Sequence, residues 1–123
     1  MSCEIKNGKN IELTRGDSLY LTYILSYKDG TPYEYHTGDT ARFAMKKKIM
    51  DETEPPVLVK TLSINPETSE CLLHLLPEDT KNLPMKSKYD YDVEMTYTNP
   101  QTGNVDVDTF ITNATFTVMP EVV

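Results

Sequence analysis

From Ser18 onward the chain alternates, with Leu19, Leu21, Tyr23, Leu25 and Tyr27 on one side and Tyr20, Thr22, Ile24 and Ser26 on the other. A period of two in aromatic and β-branched residues predicts a long antiparallel strand with one buried face. Asp29-Gly30 is a dipeptide that accepts positive φ, so Tyr33-Glu34-Tyr35 is expected to return as a short hairpin arm. After a turn at Gly38-Asp39, Thr40 to Lys47 sets Ala41, Phe43 and Met45 against Arg42, Ala44 and Lys46. An acidic, proline-punctuated loop, Asp51 to Pro56, leads into Val57 to Ile64, where Val57, Val59 and Thr61 alternate with Leu58, Lys60 and Leu62.

Asn65 to Ser69 turns the chain into Cys71 to Leu76, which is too short and too continuously apolar for a surface helix. Between Pro77 and Pro84 there is room for one or two helical turns at most. The clearest strand runs from Lys88 to Asn99, with Tyr89, Tyr91, Val93, Met95 and Tyr97 opposed to Asp90, Asp92, Glu94, Thr96 and Thr98. A one-residue slip there would bury three carboxylates, so the register is strongly specified. A hairpin at Asn99 to Asn104 leads to two further strands, Val105 to Ile111 and Ala114 to Met119.

About eight short strands, few glycines and no βαβ alternation predict an all-β chain, an immunoglobulin-like antiparallel β-sandwich with at most one short helical turn. A small barrel is the alternative. The polar corner Asp79-Thr80, followed by Tyr89 and Tyr91, has the order of a tyrosine corner. The chain lacks Trp and a cysteine pair spanning two sheets, which excludes an antibody-type domain.

The 123 residues match one domain over 1–123, and 25% charged residues match a globular chain rather than a disordered one. Its formal net charge of −7 leaves Lys46-Lys47-Lys48 as the only dense basic cluster, so no nucleic-acid partner is expected. No apolar run approaches the roughly 18–20 residues of a membrane span, and the polar start from Ser2 to Asn7 does not resemble a secretory signal. The expected product is soluble, made in the cytoplasm and not bound to a membrane. Cys3 and Cys71 then read as free thiols, and without a CxxC there is no structural zinc site.

Candidate chemistry is sparse. His36 lies in a turn and His74 in an apolar strand, where a hydrogen-bonded structural histidine is the ordinary occupant. Asp90/Asp92 and Asp106/Asp108 each place two carboxylates on one strand face, a pattern that suits a solvated face better than a loop-built Ca²⁺ site. Arg15-Gly16-Asp17 reads as a structural turn rather than a displayed ligand, and Asn113-Ala114-Thr115 has no meaning as a glycosylation signal in the cytoplasm. The chain has no phosphate-binding glycine loop, nucleophile elbow or metalloprotease motif. Catalytic residues, cofactor and metal are therefore expected to be none. Tyr20, Tyr33 and Tyr35 look exposed and are the candidate contacts for a partner, since Tyr is enriched at interface cores.

Five segments taken in order, Ile11 to Ser18, Asp29 to Tyr33, Gly38 to Phe43, Pro77 to Leu83 and Tyr89 to Glu94, carry a resemblance. The chain resembles the N-terminal domain of phage baseplate upper proteins and related small prophage structural proteins of Gram-positive hosts, from about Ile11 to Val118. This resemblance implies an immunoglobulin-like sandwich that builds a tail tip, baseplate or neck through contacts with other phage structural proteins and with copies of itself. It implies a place in the virion and no catalytic residues. It also implies that Gly16, Asp17, Tyr91, Asp92 and Glu94 are fold determinants, beside Asp79, Thr80 and Tyr89 from the corner. The competing expectation is an adhesin-like or carbohydrate-binding β-sandwich module.

Overall fold

A computed structural model describes residues 3–5, 10–27, 29–47, 55–84, 88–99 and 101–121. The side chains of Cys3, Tyr27 and Asn113, together with Lys48 and the acidic stretch 51–54, lie outside what is described. The chain is all-β. Among the described residues it forms β1 (Cys3–Ile5), β2 (Ile11–Thr14), β3 (Leu19–Tyr27), β4 (Thr40–Lys47), β5 (Leu58–Ile64), β6 (Glu70–Leu75), α1 (Pro77–Lys81), β7 (Lys88–Thr98) and β8 (Val105–Met119). The strands join in the order β1-β3-β6-β5-β4-β7-β8-β2. No described helix is long and apolar enough to cross a membrane.

β5 is the strand on which the sheet changes neighbours. Leu58 to Leu62 pair with β4, while Ser63 and Ile64 pair with Leu72 and Cys71 of β6. The two arms on either side of β5 then face one another, with Tyr23 of β3 meeting Phe110 of β8 edge to face at 6.3 Å. Between them lies the core, with Tyr23, Leu73 and Leu75 from one arm and Phe43, Met45, Tyr91, Met95 and Phe116 from the other fully buried. Each large apolar side chain buried in this way contributes roughly 1.5–3 kcal/mol. Every residue placed inward on β7 by its alternation, from Tyr89 to Tyr97, is buried.

Three expectations are corrected. The sheet is mixed rather than wholly antiparallel, because β2 runs parallel to β8 from Ile11↔Phe116 to Thr14↔Met119. Tyr33-Glu34-Tyr35 is not a strand. Instead the Tyr33 N–H donates to Leu25 O at 3.1 Å and the side chain turns into the core. Val105 to Met119 is one strand rather than two, with register shifts on either side of Val93. β8 takes up an extra residue at each shift, so consecutive Phe110 and Ile111 are both buried. β1, from the polar opening stretch, is a strand that alternation does not reveal in three residues.

α1 is short and locally specified. Pro77 occupies its first turn, Glu78 and Asp79 sit at its positive end, and the Leu76 N–H donates to Asp79 Oδ2 at 2.7 Å. Asp79 Oδ2 also meets Lys60 Nζ of β5 at 3.0 Å, tying the helix to the strand where the sheet changes neighbours.

Candidate functional site

The titratable residues are dispersed by the fold. His36 belongs to a turn organised by Asp39, whose Oδ2 accepts from the Tyr33 hydroxyl at 2.5 Å and from the His36 N–H at 3.0 Å. The His36 Nδ1 lies 3.8 Å from the same oxygen. His74 stacks on Tyr20, its cross-strand neighbour, with ring centroids 4.1 Å apart. Asp106 and Asp108 do not form the freely solvated pair expected of them: Asp106 accepts from Asn99 Nδ2 at 3.0 Å and Asp108 from the Tyr97 hydroxyl at 3.3 Å. Among the described residues no group of three His, Cys, Asp or Glu side chains gathers where it could hold a metal ion. Cys71 is fully buried.

The three candidate contact tyrosines separate. Tyr20 is 66% exposed on the outer side of β3. Tyr33 is 2% exposed and is a core residue, which corrects its assignment to an interface. Tyr35 is half-buried, and its N–H donates to Ser69 Oγ at 2.9 Å. This backbone bond joins the 31–35 loop to the turn before β6.

The expected fold determinants fall into two groups. Gly16 has φ of +86°, which a side chain would resist, and its N–H donates to the buried Thr80 Oγ1 at 2.9 Å. Asp17 contributes through its backbone, donating to Thr14 O at 3.0 Å, while Arg15 binds Glu121 at 3.0 Å and the Leu83 carbonyl at 3.4 Å. The Arg15-Gly16-Asp17 segment is therefore the structural turn expected of it. Thr80 and Asp79 fix α1, and Tyr89 and Tyr91 are core, Tyr91 lying 5.1 Å from Phe43. Burial holds the Tyr23 phenol above its ordinary range, with Tyr91 beside it adding to the effect. Burial likewise raises Tyr91, partly offset by the Tyr23 hydroxyl. Asp92 and Glu94 belong elsewhere, exposed and half-buried respectively on the outer side of β7.

That outer side spans four neighbouring strands. Across β8, β7, β4 and β5 the register aligns Val107 with Thr96 and Thr40, and Glu94 with Arg42 and Thr61. Arg42 and Glu94 form an exposed ion pair at 3.4 Å, and Lys46 stands opposite Asp90 two rows on, beyond Ala44 and Asp92. At the two margins are exposed valines: Val105 (69%) and Val107 (55%) on β8, Val57 (36%) and Val59 (42%) by β5. A cavity of about 230 Å³ opens between Ala44, Pro56 and the charges around them. Alternation alone marks Arg42, Lys46, Asp90 and Glu94 as outward, but it puts Asp106 and Asp108 rather than Val105 and Val107 on the solvated side of β8, and the assembly into one face depends on strand order, which periodicity does not contain. Comparison with protein-family models and with curated proteins finds no match.

Proposed function

We propose that the chain is a non-enzymatic structural protein of a phage or prophage virion, an assembly module of the tail tip, baseplate or neck that acts through contacts with other structural proteins and with its own copies. The observation that supports this most is the outer face of β5-β4-β7-β8, where strand-borne valines stand exposed at both margins. β-branched side chains on strands are already restricted in χ1, so covering them returns about 25 cal/mol per Å² at little entropic cost. Within the face, basic Arg42 and Lys46 of β4 stand against acidic Glu94 and Asp90 of β7, so charge is balanced locally on a chain of net charge −7. The resemblance of the ordered segments from Ile11 to Val118 supplies the virion setting.

Mass spectrometry of particles purified after prophage induction tests the proposal. The expected result is this chain at a small fixed ratio to the tail proteins, with a Val105→Asp, Val107→Asp variant excluded from particles while melting as the parent does. Particles that are intact, carry the other tail proteins and contain none of this chain would overturn the virion role.

A further inference from the structure

We propose that the outer side of β3 and β6 binds a neutral carbohydrate chain, with Tyr20 as its stacking platform and the groove beside it as its hydroxyl-binding site. This rests on different residues from the assembly face and stands whether or not the chain is a virion protein.

Tyr20 and His74 face each other across the strand pair with an interplanar angle of 12°, and Tyr20 as a residue is nevertheless 66% exposed. The stacking contact with His74 restrains the ring, so an exposed aromatic residue is offered in a set orientation. A pyranose ring presents C–H groups on its faces, which suit the negative face of an aromatic ring. One step along the same side of the sheet, Thr22, Leu72 and Ser63 stand in a row across β3, β6 and β5. They floor an open groove of about 590 Å³, in the size range of small-ligand sites.

The groove's polar groups suit hydroxyls. Its far wall is the Asn65 to Ser69 turn, held by the Ser69 N–H to Asn65 O bond at 2.7 Å and by the Glu67 N–H to Asn65 Oδ1 bond at 2.9 Å. The second bond occupies the amide oxygen of Asn65 and orients its Nδ2 as a donor. Glu67 and Glu70 line the groove with carboxylates that no described cation pairs. A carboxylate accepts from two adjacent hydroxyls at once, and hydrogen bonds to a charged acceptor are the stronger kind. Among the described residues no Lys or Arg lines the groove, and with two glutamates and a net charge of −7 it disfavours phosphorylated, sulfated or carboxylated ligands. An aromatic platform followed by hydroxyl, amide and carboxylate groups, with no cation among the described residues, selects an uncharged polyol over an anion.

Backbone amide NMR spectra of the full chain titrated with maltohexaose, cellohexaose and chitohexaose test this. The expected result is a saturable perturbation with at least one of the three, confined to Tyr20, Thr22, Leu72, Asn65 and their neighbours. Tyr20→Ala is expected to weaken it roughly tenfold and Tyr20→Trp to restore it. Glu67→Gln, on an exposed turn remote from the core, is expected to weaken binding with the spectrum otherwise unchanged. No perturbation with any of the three saccharides, or one that Tyr20→Ala and Glu67→Gln both leave intact, would overturn the proposal.

Discussion

Asp39 holds its loop together through one oxygen. Its Oδ2 takes the Tyr33 hydroxyl and the His36 N–H, while Gly38 at φ +96° lets the chain close the turn, and Asp39 itself is 6% exposed. A buried carboxylate needs its donors, so Tyr33→Phe is expected to destabilise the fold by about 1.5–3 kcal/mol, lowering the urea midpoint without changing the slope. An unchanged midpoint would show that the hydroxyl bond contributes nothing net. The burial of Tyr33 was hidden in the sequence because a loop has no period. Its partner stands six positions on, and neither residue alternates with anything around it. Tyr20 was readable as outward because its neighbours Leu19 and Leu21 fix the phase of β3.

At the scale of elements, α1 and the turn before β3 are coupled through one hydroxyl. Thr80 is fully buried, and its Oγ1 is the acceptor for the Gly16 N–H. Thr80→Val keeps the volume and removes the acceptor, leaving a peptide N–H unpaired, at an expected cost of about 1–3 kcal/mol. Thermal melting should fall and amide exchange at Gly16 should quicken, with Thr80→Ser restoring both; unchanged exchange would refute the coupling. Room for one short helix was legible, since Pro77 and Pro84 are local signals, whereas the capping by Asp79 was not. β8 was not legible as one strand, because its two register shifts break the alternation at Phe110 and again near residues 112–113. β1 and β2 are so short that their pairing with β3 and β8 defines them more than their own residues do.

For the whole molecule, the core sets an alkaline limit on stability. Tyr23 and Tyr91 are held above the ordinary phenol range of about 10, chiefly by burial. Unfolded chains lose these protons above about pH 10 while the folded chain keeps them, so the stabilisation is complete below that pH and declines as pH rises further. The decline approaches about 1.4 kcal/mol per pH unit for Tyr23, and Tyr91 adds to it in the same direction. Urea unfolding between about pH 9 and 11.5 is expected to show this limb, shallower in Tyr23→Phe; parallel limbs in the two proteins would contradict it. By itself the sequence determined the all-β character, the turns and the inward and outward faces of β3, β4 and β7, because the alternation of side chains along a strand is a local property of the backbone. Only the tertiary structure decided the parallel pairing of β2 with β8, the change of neighbours along β5, the burial of Tyr33 and the meeting of Tyr20, His74 and the Asn65 turn on one side. These depend on which strands become neighbours, a choice made by the packing of distant segments that no single stretch of sequence encodes.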